Sequence, residues 1–474
     1  MKGHDVIIVG GGISGAAILH RLASRGVDVA LIEGRDNLGG VIRSHRNGDG
    51  LLVETGANSA SITLELQTLI QELGLSDDLL TPPPSAGNRY IVRDDRLVAA
   101  PTSPRSFLRT HLFSRRAKLR ILRERLVASV SADIEESVAD FVERRLGREF
   151  LDYAIDPFVG GIFAGRPDRL SLRYAFPAMY RLEQDHRSLI RGAIRKGKET
   201  RRARRRGVPP PPKGLISFTD GMGMLPGRIA ERWWEKIVAG RPAERIEKVA
   251  GGWGVDVGGR RYHAMTLVLA TDALAAATLL DAIDPGAAIA LRSIEYPPVA
   301  IAVSQYERRS VEHPLDGFGM LIPSVEGRNI LGSLFSSSLF PHRAPDGTAL
   351  LTTFVGGARN PEQAGRPDDE LEHLVHRDLQ RLLGISARPI AFDLHRWDRA
   401  IPQYTLGYGR ILDAIAAAET AHRGLYLVGN YRGGISVGDC VRSAFQCADR
   451  LISTIVDEAR GGIRGEYHMR DQEA

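Results

Sequence analysis

The chain has 474 residues, 43% of them hydrophobic and 25% charged, with a formal net charge of +6; this is an ordinary globular composition, long enough for two or three domains. No apolar run reaches the roughly 20 residues of a membrane span, and the best candidate, AMTLVLATDALAAATLL, is broken by Asp272. The two cysteines, Cys440 and Cys447, lie about 10 Å apart along a helical stretch, too far for a disulfide, and no metal cluster is indicated.

Asp5 to Val9 is apolar and β-branched, the pattern of a buried parallel strand. Gly10, Gly12 and Gly15 then form G-x-G-x-x-G, with Gly11, Ile13 and Ser14 between them. Ala16 to Ala23 reads as a helix, and Val29 to Ile32 as a second strand ending at Glu33. The first glycine permits a tight turn, the second lets backbone approach a pyrophosphate, and the third lets helix and strand pack closely. The helix N-terminus offers unpaired N–H groups to phosphates, and Glu33 stands where an acid accepts from ribose hydroxyls. This unit predicts a dinucleotide without separating NAD from FAD. The next stretch, DNLGGVIRS (residues 36–44), favours FAD, because a second glycine pair and Arg43 let backbone and a cation approach the far end of a flavin cofactor.

Residues 101 to about 210 read mostly as helix. Within them, residues 105–125 carry eight basic residues against one acid, interleaved with Phe107, Leu108, Leu112, Phe113, Leu119, Ile121 and Leu122. Such a segment either lies on an anionic membrane surface or turns its apolar side to the core. Residues 191–213 hold ten Lys or Arg against one Glu, and end in four prolines. They read as a solvated, disordered loop rather than a nucleic-acid module.

Residues 245–271 read as strand, turn, strand, turn, strand, with Thr266 to Ala270 apolar enough to be central. Residues 290–415 alternate apolar runs with turns and predict a mixed sheet over which a ligand can lie. PDDELEHLVHRDLQRLLG is an amphipathic helix that Gly384 stops. Near the end, GLYLVGNYRGGISVGDCVRSAFQCADRLI gives a strand, a glycine-rich turn and a long helix. Gly429, Asn430 and the turn to Gly438 are expected to form the other wall of the cofactor site. The helix from Val437 is expected to favour negative charge on the reduced flavin. A strand by residue 5 leaves no room for a signal peptide, and with so few cysteines a reducing, cytoplasmic setting is expected.

Several stretches resemble the porphyrinogen oxidases, flavin enzymes of haem and chlorophyll synthesis within the amine-oxidase-like flavoprotein superfamily. They are the glycine fingerprint, NLGGVIRS, ETGANS, GGIFAGRPDRLSL, GFGMLIP, LFSSSLFPHRAP, LLTTFVGG, PQYTLGY and GNYRGGISVGDCV. The resemblance runs from about residue 5 to residue 455; GIFAG and LFSSSLFPHRAPDG…TTFVGG are its most specific parts. It implies an α/β (α+β) fold in three parts. A Rossmann-like FAD-binding domain would take residues 1–85, 213–290 and 416–474. A mixed-sheet substrate domain would take 86–100 and 291–415, and a helical membrane-associated domain 101–212.

The resemblance further implies a six-electron, FAD-dependent oxidation of a porphyrinogen to the porphyrin, with molecular oxygen as acceptor. FAD contacts would fall at Gly10, Gly11, Gly12, Ile13, Ser14, Gly15, Glu33, Gly34, Gly40, Val41, Arg43, Gly56, Ala57, Asn58, Ser59, Ile246, Gly429, Asn430, Ile435, Ser436 and Val437. Arg89 matches the arginine that pairs with a propionate, whose carboxylate a guanidinium fork fits. Leu321, Leu334 and Phe354 match residues that sandwich the tetrapyrrole. Gly161, with Phe163, Ala164 and Gly165, matches a segment beside flavin N5. No catalytic base has a sequence signature, since the cofactor carries the hard chemistry.

The implied partners are the porphyrinogen, oxygen, an anionic membrane surface, a second copy in a homodimer, and the next haem-pathway enzyme by hand-off; nucleic acid is not among them. The plant-like GFGMLIP…LFSSSLFPHRAP stretch favours protoporphyrinogen IX, with coproporphyrinogen III as the alternative. A non-catalytic flavin-containing tetrapyrrole carrier is the reading from another class. Two positions depart from the pattern: Ala57 and Asp272 stand where proline is frequent in the family.

Overall fold

The computed structural model describes residues 3–48, 50–207, 210 and 212–470, the stretch 456–470 as backbone only. Strand Gly3–Val9 pairs in parallel with Val29–Ile32 on one side and with Arg260–Leu269 on the other. The sheet runs Ile237–Val238, Val29–Ile32, Gly3–Val9, Arg260–Leu269, Gly252–Val257, Arg245–Val249, and Leu425–Leu427 joins Arg260–Leu269 in parallel. Three distant stretches of chain thus build one sheet. Its strands are apolar on both faces because both faces are covered. Val6, Ile8, Val29 and Leu31 pack under helices Ile13–Ala23, Leu64–Glu72, Met224–Trp233 and Val437–Arg470. Ile7, Val9, Leu267 and Leu269 pack under Ala273–Leu280, Pro285–Arg292 and Tyr408–Ala421. Asp272 has a local reason to be there: it caps Ala273–Leu280, accepting from Leu274 N and Ala275 N, each at 3.0 Å. Cys440 and Cys447 are buried free thiols.

The second sheet is mixed. Its order is Ala391–Trp397, Val299–Glu307, Thr348–Gly356, Ile330–Phe335, Gly317–Leu321, Asn88–Arg93, Arg96–Ala99. All neighbours are antiparallel except Asn88–Arg93 with Gly317–Leu321. One face, carrying Ala300, Ala302, Met320, Leu351 and Val355, lies under the amphipathic helix Asp368–Leu383 through Leu371, Leu374, Val375 and Leu379. Gly384 ends that helix at φ 63°, in the left-handed region. The opposite face is turned to the first sheet's glycine loops and to helix Asp156–Phe163.

Residues 104–205 are largely helical, around a cluster that includes Phe141, Val142, Val159 and Phe163. The basic 105–125 segment forms helices Pro104–Arg109 and Arg115–Leu122, and its apolar residues divide between core and surface. Leu112 and Phe113 are core, while Leu108, Leu119 and Leu122 are more than 60% exposed beside exposed arginines. No helix among the described residues is long and apolar enough to cross a membrane.

The disordered loop expected over 191–213 is, as far as Arg205, an exposed helix, Leu189–Arg205. Arg and Lys are good helix formers despite their charge, and the N-terminus is held from afar. Ser188 Oγ accepts from Arg191 N at 3.2 Å, and the buried Glu124 carboxylate takes Leu189 N at 2.8 Å and Ser188 Oγ at 2.6 Å. Val208, Pro209 and Pro211 of that stretch lie outside the described residues.

Candidate active site

The glycine fingerprint folds into a bare-backbone cradle. Gly10 takes φ 106°, and a Cβ there would sit 2.7 Å from the Ala270 carbonyl. A Cβ on Gly15 would strike Gly10 O at 1.9 Å, so helix and strand meet backbone to backbone. A Cβ on Gly12, by contrast, would meet nothing within 4 Å, and no side chain caps the N-terminus of Ile13–Ala23. That end therefore offers free N–H groups and open space to a phosphate. Ile13, Ser14 and Gly15 themselves are buried in the helix's first turn.

Glu33 ends its strand with the carboxylate turned back on this cradle, accepting from Gly11 N at 2.5 Å and Arg35 N at 2.9 Å. Gly34 follows it at the surface. The second glycine pair lies on the first: Gly39 N donates to Gly11 O at 2.8 Å, and a Cβ on Gly40 would come within 3.2 Å of Gly12 Cα. Val41 is 43% exposed, and Arg43 donates to Gly40 O at 3.1 Å. Gly56, Ala57, Asn58 and Ser59 follow the buried strand Leu52–Glu54, and Gly56 lies directly against Val41, whose carbonyl a Cβ there would strike at 1.8 Å.

At the other wall, Tyr404 Oη donates to Asn430 O at 2.6 Å and accepts from Gly434 N at 3.1 Å, fixing the turn that follows Gly429. Ile435 packs against the core, and Ser436 Oγ accepts from Asp439 N at 3.1 Å, capping the helix that begins at Val437. Asp439 sits in that helix's first turn, so its carboxylate offsets part of the expected dipole. Ile246 is 2% exposed, buried in the core where its strand pairs with Gly252–Val257.

The substrate candidates come together on one face of the second sheet. Pairing places Ile91, Leu321, Gly332, Phe354, Ile301 and His395 in one cross-strand row. The adjacent row is Arg89, Gly319, Leu334, Thr352, Val303 and Asp393. Paired residues share a face, so Arg89, Leu321, Leu334 and Phe354 all lie on the face turned away from helix Asp368–Leu383. Arg89 is exposed, 5.4 Å from the Phe318 ring, and has no carboxylate partner among the described residues. Gly161, on helix Asp156–Phe163, meets this face directly: a Cβ there would lie 2.5 Å from Leu321 Cδ2. Phe163, Ala164 and Gly165 are buried just beyond; Ala164 ends the helix at φ 47°, and Gln403 Nε2 donates to Phe163 O at 2.8 Å.

Two buried ion pairs that sequence reasoning missed hold these parts in register. Asp156 accepts from Arg359 Nη2 at 3.1 Å and from Ser324 N at 2.7 Å, while Arg359 Nη1 donates to Ile322 O at 2.8 Å. This ties the Gly161 helix to the end of the Leu321 strand. Arg343, 2% exposed, donates to Glu54 at 3.1 Å, to Asn58 O at 2.7 Å and to Ser217 Oγ at 2.8 Å. It thereby pins the 54–58 stretch to the second sheet's Pro-His-Arg loop. Burial pushes the Glu54 carboxyl up to about 7, against the pull of Arg343, Ser44 and Met222 N. Neither pair has a sequence signal, because each joins residues some 200 or more positions apart.

A fold with a two-walled glycine cradle opposite an apolar sheet face defines a flavin-dependent oxidoreductase. The chain belongs to the flavin containing amine oxidoreductase family, whose model matches residues 12–452. Among its relatives it is 34% identical to protoporphyrinogen oxidase 2, chloroplastic/mitochondrial, of Arabidopsis thaliana, over 96% of this chain and 94% of the other. It is 31% identical to the protoporphyrinogen oxidase of Homo sapiens, over 95% and 99%. A solved structure from Exiguobacterium, provisionally named a protoporphyrinogen oxidase, superposes with TM-score 0.77 at 24% identity over 95% of this chain and 99% of its own. Cyclohexylamine oxidase from Brevibacterium oxydans gives 0.70 at 18% identity over 95% and 99%. The cofactor is FAD, and the bare Gly12 N-terminus with Glu33 beside it fits a dinucleotide.

Proposed function

We propose that the chain oxidises protoporphyrinogen IX to protoporphyrin IX, with molecular oxygen restoring the cofactor. The observation that carries this reading is the two-row sheet face of Leu321, Leu334 and Phe354 with Arg89 at its edge, met by Gly161. A flat macrocycle needs an apolar slot with few polar groups to orient it. Arg89, exposed and free of carboxylates, suits a propionate. Bound FAD supplies hydride acceptance. The chain's own part is to hold the tetrapyrrole against the ring, through Leu321 and Phe354, and to exclude water. Gly161 lacks the side chain that would keep the two apart. No residue is assigned as a base.

Arg89 is the one arginine or lysine in the two rows, which favours a substrate with few carboxylates over coproporphyrinogen III. A carrier role is not favoured either, given the relatedness to protoporphyrinogen oxidases over nearly the whole chain. The cofactor and substrate residues named above and the three-part division of the chain belong to this reading. So does a peripheral seat on an anionic membrane, which the exposed Leu108, Leu119 and Leu122 among arginines support. Protoporphyrinogen and coproporphyrinogen, offered separately in air and followed by porphyrin fluorescence, test the substrate. A clear preference for the first is expected; a preference for the second, or no porphyrin, would overturn the proposal.

A further inference from the structure

His395 has no role in the reading above, yet it stands at the seam of the site. It lies opposite Ile301, which pairs in turn with Phe354, so the imidazole is on the ligand face, two strand spacings or about 10 Å from Phe354. Its ring meets the Trp397 indole at 4.7 Å in a T-shaped contact. The same indole donates to the Thr55 carbonyl, and the Arg43 guanidinium lies 5.8 Å from its ring. His395 therefore faces the loops that carry Gly40, Arg43 and Gly56, rather than the Arg89 end of the sheet.

Its Nε2 is buried and has no hydrogen-bond partner among the described residues. Asp393, two positions away, turns instead to His45 at 3.7 Å. A buried polar atom is seldom left unpaired, because it has given up water for nothing. Burial, with Arg43 adding to it, holds the ring below its ordinary pKa, so the imidazole is neutral near pH 7 and bears one N–H.

We propose that His395 is a cofactor-binding residue, its Nε2–H donating to the acceptor edge of the flavin ring. That edge consists mainly of carbonyl oxygens and imine nitrogens, which fixes the tautomer. The proposal rests on FAD being this chain's cofactor, and its failure is separable from a failure of that premise.

The test uses the full chain, stripped of FAD and titrated with it, as wild type, His395→Leu and His395→Gln. His395→Leu is expected to bind FAD roughly tenfold more weakly and to shift the visible flavin band. Without FAD it should melt no lower than the wild type, since the unpaired nitrogen has gone. His395→Gln, whose amide can donate, should retain most of the affinity. FAD affinity in His395→Leu within about twofold of wild type would overturn the proposal. So would weakened binding with an unchanged flavin band, or equal destabilisation of the FAD-free and FAD-bound forms. A wild-type chain that bound no FAD would instead overturn the cofactor assignment itself.

Discussion

Replacing Arg343 by methionine is expected to damage the protein in a way that depends on pH. The guanidinium is 2% exposed and the Glu54 it meets is 1% exposed, so the substitution strands a carboxylate in the interior. It also orphans the Asn58 carbonyl and Ser217 hydroxyl. Breaking a buried pair on one side costs about 3–5 kcal/mol. Glu54 sets the pH dependence. Its carboxyl is already raised from 4.5 to about 7, first by burial, with Arg343 the strongest influence holding it down. A raised carboxyl binds its proton more tightly in the folded chain. Its contribution is therefore full below the unfolded pKa and is lost as pH rises through 7, about 3 kcal/mol in all. Without Arg343 the carboxyl rises further and the loss extends above neutrality. Urea unfolding of FAD-saturated Arg343→Met should thus show a modest deficit near pH 5.5 and one of about 3–5 kcal/mol near pH 8. Adding Glu54→Gln should recover part of the latter. A deficit equal at the two pH values, or under about 1 kcal/mol at the higher one, would refute the reasoning.

Gly161→Val should push Leu321 aside and lower kcat/KM by roughly tenfold or more with FAD content unchanged; unaltered turnover would place Gly161 away from the reacting atoms. Arg89→Ala should raise KM by about tenfold or more and leave kcat nearly intact, as for a charged hydrogen bond used equally in ground and transition states. Equal loss in kcat would deny the propionate role. Flotation with anionic vesicles should fall sharply when Leu119 and Leu122 are both changed to Glu, and wild-type binding should weaken with salt; salt-insensitive binding, or none, contradicts the membrane seat.

Much of the fold is legible in sequence where the determinants are local. The run Asp5 to Glu33 reads correctly because strand, glycines and helix lie side by side in the chain, and Gly384 stops its helix where the periodicity ends. The second sheet's strands show in their alternation, but their order does not. That Leu321, Gly332, Phe354, Ile301 and His395 share a row depends on pairings between distant segments. Helix Leu189–Arg205 is misread as a loop because its N-terminus is held by Glu124, 65 positions before Leu189. Arg343 and Arg359 look like ordinary surface arginines until Glu54 and Asp156 close on them. His395 looks like any lone histidine until its Nε2 is found without a partner.

The decisive step is the passage of electrons from a porphyrinogen on the Phe354 face to the flavin. Rapid anaerobic mixing of the FAD-loaded chain with protoporphyrinogen reads this step without oxygen chemistry intervening. Bleaching of the visible flavin band, saturable in substrate and slowed in Gly161→Val, is the predicted result. A flavin that stays oxidised while the tetrapyrrole binds would contradict it.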